Sequence, residues 1–266
     1  MRIAVCVKRV PAPGARIALS DDGAAIDTKN LGFTTSPHEE CAVEAAIALN
    51  EQHGGETTVF TVGPPEADEQ LRYAISVGAH HAVLVSVGEE GADPDPQATA
   101  AALVDAIHAR ETAAGEFDVV LFGNDSADSG GFQVGVRVAR ALGRPIVNGA
   151  KGIAIVDAQG ASESGSGRAV EVRRESSSGS DVFRLPLPAA VGVLEGINLP
   201  RYATLPGRLK SKKAEVPMTT ATMAAPRVVT RRFEVPEEQV TETVMLGDGA
   251  DAAERVVDLL IELGLA

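Results

Sequence analysis

The residues best suited to binding chemistry follow a short apolar run near the middle of the chain. After "DVVLFG" the sequence continues as "NDSADSGGFQVGVRVARALG", which places acids, hydroxyls and two glycines between a predicted strand and a predicted helix. Glycines let the backbone approach a phosphate closely, and the first turn of a helix offers free N–H groups. Residues 125–133 therefore fit a nucleotide site as well as they fit an ordinary strand-to-helix connection. Asp125 and Asp128 oppose a phosphate unless they bind ribose hydroxyls or lie away from it.

Catalytic motifs are absent from the sequence. It contains no Walker P-loop, no GxGxxG after a predicted strand, and no His/Cys/Asp cluster with metal-ligand spacing. The five histidines lack a triad or HExxH setting, and the serines at 176–178 lack the context of a nucleophile elbow. We therefore predict a protein without catalytic residues of its own.

A second segment is unusual because it is basic in an acidic chain. Residues 198–216, "NLPRYATLPGRLKSKKAEV", hold five cations and no acid between Arg201 and Lys213, whereas the whole chain has a net charge of −13. Two prolines bracket Leu205, and the irregular pattern predicts a stiff loop that is neither a regular helix nor a regular strand. Two interpretations are open: the loop contacts a partner, or it lies solvated against the acidic surface of its own chain.

Composition and charge narrow the possible function classes. An acidic chain lacks the basic face that nucleic-acid binding requires. No apolar run approaches the roughly 20 residues that span a bilayer, which predicts no direct membrane insertion, and the N-terminus has the pattern of a strand and not of a signal peptide. Two cysteines, Cys6 and Cys41, are too few for a disulfide framework and fit a reducing cytoplasm.

The first half of the chain alternates predicted strands and helices. Four continuous apolar runs predict strands buried on both faces: "RIAVCV", "TTVFTVG", "HAVLVSV" and "FDVVLFG". Helices are predicted from a capping box at Ser36 to Gly54, at 66–77, and at 95–110 with Asp95 as the cap. This order predicts an α/β fold with a doubly wound, mostly parallel sheet.

The pattern of predicted secondary structure changes in the second half of the chain. After Pro145, shorter strands are predicted, joined by Gly/Ser turns; "QGASESGSG" is predicted to be a hairpin tip, with a flexible linker as the alternative. Residues 198 to about 236 have little periodicity, and 251–263 predict an amphipathic helix. A C-terminal arm of this length lies either on a partner subunit or on its own body.

Several segments together resemble the β subunit of electron transfer flavoproteins. "AVCVKRVPAPGA" is similar to the opening strand and loop of that family, "SPHEECAVEAAIAL" to its second motif, and "LFGNDSADSGGFQVG" to its nucleotide loop. "VRRESSSGSDVFRLPLPAAVGV" followed by residues 198–216 resembles the signature of the subunit, and this last motif is the most specific. The similarity runs in order from Arg2 to about Val216.

The resemblance implies an architecture and a role. The fold would be adenine-nucleotide alpha-hydrolase-like, with an α/β nucleotide-binding domain at 1–197, a partner-recognition loop at 198–216, and a C-terminal arm and helix at 217–266 that pack on an α subunit. The α subunit would hold most of the FAD. Electrons would come from a dehydrogenase, often of the acyl-CoA type used in fatty acid β-oxidation, and pass to a membrane quinone reductase.

The resemblance also implies a second nucleotide on this subunit. It is AMP in the ordinary type, which we predict here, and a second FAD in the electron-bifurcating type. The matching positions of this chain are Cys6, Ser36, Val62, Gly123, Asp128, Gly131, Phe132, Gln133 and Val134.

Other positions carry over from the same family. Leu205 matches the leucine that enters an apolar pocket of the dehydrogenase, with Tyr202 beside it, while Lys210 and Lys213 would steer an acidic partner. Glu175 matches an acid that pairs with an arginine of the α subunit.

The sequence departs from the family pattern at the cofactor positions. Ser36 stands where the family has Asn, and His38 stands where it has an aromatic residue near the flavin. That histidine either tunes the flavin potential or points outward. Phe132-Gln133-Val134 replaces Asn-Gln-Thr, so that Phe132 either stacks on a base or blocks one.

Two function classes stand as alternatives to the electron carrier. A nucleotide-binding regulatory module of the stress-protein kind shares the α/β plan but has no use for the segment at 198–216. A nucleotide-dependent transferase or ligase would use the loop at 125–133 but lacks an evident metal or phosphate-binding lysine.

Overall fold

The structure is a computed structural model. It describes residues 1–87, 94–157, 167–221, 227–236 and 243–265. These residues form two compact units, Met1–Arg232 and Phe233–Ala266.

The first unit is an α/β body. Its strands, in chain order, are β1 (Arg2–Val7), β2 (Val10–Pro11), β3 (Ala18–Leu19), β4 (Ile26–Asp27), β5 (Phe33–Thr34), β6 (Glu56–Gly63), β7 (His81–Ser86), β8 (Val119–Gly123), β9 (Ile146–Asp157), β10 (Arg168–Ser176), β11 (Gly179–Pro186), β12 (Ala189–Val193) and β13 (Met218–Thr220). Its helices are α1 (Pro37–His53), α2 (Asp68–Val77), α3 (Pro96–Ala114), α4 (Val134–Ala141) and α5 (Leu205–Lys213), and a 3₁₀ turn at Pro65–Ala67 precedes α2.

The central sheet is mostly parallel, as predicted. Nine strands follow the order β11-β10-β9-β12-β8-β1-β6-β7-β13. All neighbouring pairs from β9 to β13 in this order are parallel, and β10 pairs antiparallel with β9 and β11. The carboxyl ends of β1, β8 and β12 therefore meet at one edge of the sheet, which is where α/β proteins hold ligands.

Strand β1 shows why the sheet is covered on both faces. Ile3, Val5 and Val7 pack into a core with α1 and α2. Ala4 and Cys6 point to the other face and pack into a core with α3 and α4. A strand that is buried on both faces has no polar alternation, which explains its continuous apolar run and confirms the doubly wound arrangement.

The predicted helix starts are confirmed. At α1, the Glu39 carboxylate accepts a hydrogen bond from the Ser36 amide at 3.0 Å, which completes the capping box. At α3, Oδ1 of Asp95 accepts from the Ala98 amide at 2.8 Å. None of the described helices is long and apolar enough to cross a membrane.

Two predictions about the second half are wrong. Strands β9 and β10 have 12 and 9 residues and are not shorter than the strands before them, because residues 150–157 of β9 pair antiparallel with residues 168–174 of β10. The hairpin tip is predicted at 159–167, and its residues 159–166 lie outside the described residues. Residues 205–213 form a helix and not an irregular loop, because Thr204 caps the Gly207 amide and Pro206 occupies the first turn, where its missing N–H is not needed.

The C-terminal arm begins on the body of its own chain. Strand β13 extends the sheet in parallel beside β7. Beyond it, the amides of Arg227 and Val228 donate to Oδ2 of Asp95 at 2.6 and 3.2 Å. The second unit contains a 3₁₀ turn (Gly249–Ala252) and helix α6 (Ala253–Glu262), which confirms the predicted helix near the C-terminus.

Candidate functional site

The carboxylate of Glu39 ties two loops together at the carboxyl edge of the sheet. Oε1 accepts from the Lys8 amide at 2.9 Å, just after β1, and Oε2 accepts from the Ser36 amide, just before α1. Gly123 at the end of β8 completes the contact, because a Cβ there would lie 2.5 Å from Glu39 Cγ and 3.1 Å from the Glu39 nitrogen. Only a glycine lets the strand approach the helix so closely.

Burial gives Glu39 an unusual acidity. Loss of solvation raises the pKa of its carboxyl to about 7, against the opposing effects of the Ser36 and Lys8 hydrogen bonds. The neighbouring Cys6 is also buried, and burial raises the pKa of its thiol far above the ordinary value, with the charge of Glu39 adding to the effect. Cys6 therefore acts as a small apolar residue of the core.

The two aspartates of the loop at 125–133 are already engaged. Oδ2 of Asp128 pairs with the Lys8 ammonium at 2.6 Å, and Oδ1 accepts from the Ser129 amide at 2.7 Å. Burial alone would raise the pKa of Asp128, but Lys8 and the hydrogen bonds from Ser126 and Ser129 hold it below its ordinary value. Because its charge is neutralised by Lys8, Asp128 opposes a nearby phosphate less than the sequence implied.

His38 connects this loop to the segment after β12. The Glu195 amide donates to its Nδ1 at 2.8 Å, so the ring proton is on Nε2, which lies 3.4 Å from Oδ1 of Asp125. The side chain is only 19% exposed. The ring orientation of His38 is therefore set by these two contacts, and its approach to the flavin stays a prediction.

The loop ends at Phe132, which has a positive φ of 58°. Gln133 follows as the N-cap residue of α4, and its Oε1 accepts from Nη2 of Arg137 at 3.0 Å. Helix α4 begins at Val134, within one residue or two of the predicted start. Its first amides face the same edge of the sheet as the other residues of the site.

The structure therefore brings most of the predicted nucleotide residues to one edge. Cys6 and Val62 lie near the carboxyl ends of the neighbouring strands β1 and β6. The others lie on the loop between β8 and α4 or at the start of α1; these are Ser36, His38, Gly123, Asp128, Gly131, Phe132, Gln133 and Val134. Glu175, which is predicted to contact the α subunit, lies elsewhere, exposed on the antiparallel hairpin opposite Ser180 of β11.

A second cluster holds Asn198 and Arg201, at the start of the basic segment, onto helix α1. Arg201 donates from Nε and Nη2 to Glu44 at 2.9 Å each, and from Nη1 and Nη2 to Glu51 at 2.6 and 3.0 Å. The carboxylates of Glu51 and Glu44 raise the pKa of this guanidinium further. The side-chain Nδ2 of Asn198 also donates to the Cys41 carbonyl oxygen at 3.0 Å. We call these contacts the arginine clamp.

Helix α5 packs on helix α2 through its small residues. A Cβ at Gly207 would lie 2.1 Å from the Ser76 carbonyl oxygen, so only glycine fits there. One turn later the buried Ser211 receives, at its carbonyl, a 2.7 Å hydrogen bond from Arg72. This contact fixes the inner face of α5 and leaves Leu205 and Leu209, which share the opposite face, in solvent.

The segment exposes large apolar residues as well as cations. Leu205 is 73% exposed and Tyr202 is 89% exposed, although both follow a firmly held arginine. Lys210 and Lys213 lie on the same helix, beside the row of leucines. We call residues 198–213 the docking helix segment.

Sequence reasoning missed several residues of these two clusters. Glu39 was named only as part of a capping box, and its contact with the Lys8 amide crosses between separate elements. Arg201 and Glu44 are 157 residues apart, so no local pattern could have paired them. Lys8 was quoted only within the opening motif, and its pairing with Asp128 depends on the sheet order.

The fold is that of the doubly wound α/β proteins, which hold ligands at the carboxyl edge of the sheet, and the features above lie at that edge. The family model of the electron transfer flavoprotein domain matches residues 24–224. The chain therefore belongs to the electron transfer flavoprotein family, as a relative of its beta subunits.

Individual relatives agree with this family. The chain is 30% identical over 249 residues to the electron transfer flavoprotein subunit beta of Bacillus subtilis, which covers 91% of this chain and 88% of that protein. It is 35% identical over 221 residues to the protein FixA of Azorhizobium caulinodans, covering 83% and 75% of the two chains. It is 31% identical over 208 residues to the acryloyl-CoA reductase electron transfer subunit gamma of Anaerotignum propionicum, covering 78% and 73%.

The burial of Glu39 predicts a pH dependence of stability. Its pKa rises from an ordinary 4.5 to about 7 on folding, so the native state binds the proton more tightly than the unfolded state. The contribution that this bound proton makes to the free energy of unfolding is fully present below pH 4.5 and is lost as the pH rises through 7. Denaturant unfolding of the wild type and Glu39→Gln across this window should show the wild type losing about 3 kcal/mol relative to the variant. A difference that does not change with pH would contradict the assignment.

Proposed function

We propose that this chain is the β subunit of a heterodimeric electron carrier whose FAD is held mainly by an α subunit. The subunit takes part in electron transfer from a dehydrogenase of the acyl-CoA type to a quinone reductase and carries no catalytic residues itself. The observation that carries this proposal is the docking helix segment, in which exposed leucines stand on a helix fixed by the arginine clamp. A regulatory module would have no use for such a segment.

The docking helix segment suits a brief encounter with a partner. The arginine clamp holds the segment in place before binding, so little conformational entropy is lost when a partner arrives. Burial of one leucine such as Leu205 contributes about 1.5–3 kcal/mol, which supports recognition and still permits rapid release. Lys210 and Lys213 supply a salt-dependent attraction to an acidic partner surface. A protein to which this chain is similar is named as the electron transfer subunit gamma of acryloyl-CoA reductase.

We propose AMP as the nucleotide held by this subunit. Its phosphate would lie against the loop at 125–133 and the first turn of α4, where amides are free to donate. Ser36, Gly123 and Gln133 line the same edge, and Cys6 and Val62 supply its floor through their backbone. The pairing of Asp128 with Lys8 removes the strongest electrostatic objection to a phosphate there.

This chain would help to position the flavin. FAD supplies the redox chemistry when bound, and the protein sets its position and potential. His38 stands at the position that approaches the flavin in the family, and the bonds from Glu195 and to Asp125 fix its ring orientation. Because its one ring N–H is directed at Asp125, the imidazole would approach the cofactor in a fixed orientation and without a free N–H.

Two further features support an α subunit as the partner. In the second unit, helix α6 exposes an apolar face that comprises Val256, Val257, Leu260 and Ile261. In the first unit, Glu175 is exposed on the hairpin, where it is free to meet an arginine of the partner. We assign the protein to the cytoplasm, because both of its cysteines are free thiols.

The nucleotide assignment predicts the composition of the purified complex. Co-expression with the α subunit should give a yellow heterodimer, and heat should release AMP and one FAD that mass spectrometry identifies. Two FAD per heterodimer and no AMP would instead identify the electron-bifurcating type. A complex that releases flavin from the α subunit alone, with no second nucleotide, would remove the nucleotide site.

The docking assignment predicts the effect of Leu205→Ala. Loss of the leucine should slow reduction of the heterodimer by its dehydrogenase by at least tenfold, because about 1.5–3 kcal/mol of apolar burial is lost. Flavin content and thermal stability should not change, since the side chain is exposed in the free protein. Val182→Ala is a matched control, because Val182 is 54% exposed but lies on β11. Equal rates for wild type and Leu205→Ala would refute the docking role.

A further inference from the structure

The backbone of Phe132 is unusual. Among the described residues it is the one non-glycine residue with a positive φ, 58°. A bulky side chain disfavours this conformation, whereas glycine adopts it freely. Two glycines, Gly130 and Gly131, stand directly before it, and Gly130 also has a positive φ, of 52°. A glycine at position 132 would therefore satisfy the backbone without strain, and what phenylalanine adds is its ring.

The ring of Phe132 does not fill the core. It is 51% exposed, whereas Phe60, Phe117 and Phe122 are buried in the sheet core. Phe33, which is half-buried, lies against Arg9, whose guanidinium carbon is 3.4 Å from the centroid of the Phe33 ring. Phe132 thus combines a strained backbone with a ring that is open to solvent at the carboxyl edge of the sheet. Strained residues that persist at such edges are characteristic of ligand sites.

The loop around Phe132 is held on both sides. Before it, the Gly130 amide donates to the Ser126 carbonyl at 2.9 Å, and Asp128 is paired with Lys8. After it, Gln133 accepts from Arg137. The backbone that carries the ring is therefore held before any ligand arrives, which lowers the entropy lost on binding.

We propose that Phe132 is the stacking platform of the nucleotide site and that it selects ligands with an extended planar ring, purine or isoalloxazine, over pyrimidines. This proposal rests on the nucleotide site proposed above and adds the residue that determines its specificity. Aromatic stacking is strongest where ring overlap is greatest, so a two-ring or three-ring ligand gains more from an exposed phenyl face than a single-ring one does. The opposite reading, in which Phe132 blocks the site, is tested by the same experiment.

The test uses the heterodimer after removal of its bound nucleotide, titrated with AMP and with CMP by calorimetry. Phe132→Ala and Phe132→Gly should each weaken AMP binding by about tenfold or more, in line with the loss of one stacked base. CMP binding should weaken less, so that the preference for AMP falls. Phe132→Trp should keep or strengthen AMP binding. The AMP content of the complexes as purified gives the same comparison without stripping.

Thermal unfolding separates the ligand role from a structural one. Phe132→Gly relieves the backbone strain and Phe132→Ala does not, so in the absence of nucleotide the glycine variant should melt at least about 2 °C higher than the alanine variant. A loss of AMP affinity in the more stable glycine variant cannot then be attributed to misfolding. Equal AMP affinity in wild type and Phe132→Gly would overturn the stacking role and leave the nucleotide site intact, and tighter binding by the glycine variant would show that the ring blocks the site. A wild type that binds neither AMP nor FAD would remove the nucleotide site itself.

Discussion

The carboxylates of helix α1 hold together the parts of the molecule on which function depends. Glu39, at the first turn, accepts hydrogen bonds from the loops after β1 and before α1, under the close approach of Gly123. Farther along, Glu44 and Glu51 receive the guanidinium of Arg201. The same helix therefore organises the candidate nucleotide edge at one end and the docking helix segment along its length. A charge-assisted fork of this kind is stronger and more directional than an ordinary ion pair.

The two sites have different physical requirements, and the fold meets each in its own way. The nucleotide edge needs backbone amides brought close together, which parallel strands and glycines such as Gly123 provide. The docking helix segment needs apolar side chains kept in solvent without collapsing onto the body. Gly207, which has no side chain, and Ser211, which has a small one, allow this. They let one face of α5 pack closely against α2, which leaves Leu205 on the opposite face in solvent. Exposed apolar residues on a rigid support are characteristic of interaction sites.

Much of the fold could be predicted from the sequence, because buried parallel strands such as β1 leave continuous apolar runs and helix starts such as Asp95 carry local caps. The helix at 205–213 was not predicted, because its prolines and lysines give no apolar periodicity and the helix is stabilised by residues distant in the sequence. The residues that the family resemblance assigns to a nucleotide lie together at one edge of the sheet, and their binding of a nucleotide stays a prediction. The arginine clamp had no local signal, since it joins residues 150 to 157 positions apart.

The most direct test of this account is amide hydrogen exchange on the heterodimer, comparing wild type with Arg201→Gln. The variant keeps much of the side-chain volume but removes the charged fork. The account predicts that amides from Tyr202 to Lys213 exchange at least severalfold faster in the variant, while those of β1 and β8 are unchanged, because the clamp supports a local unit. Equal protection of the docking helix segment in both proteins would contradict the claim that helix α1 holds this segment ready for a partner.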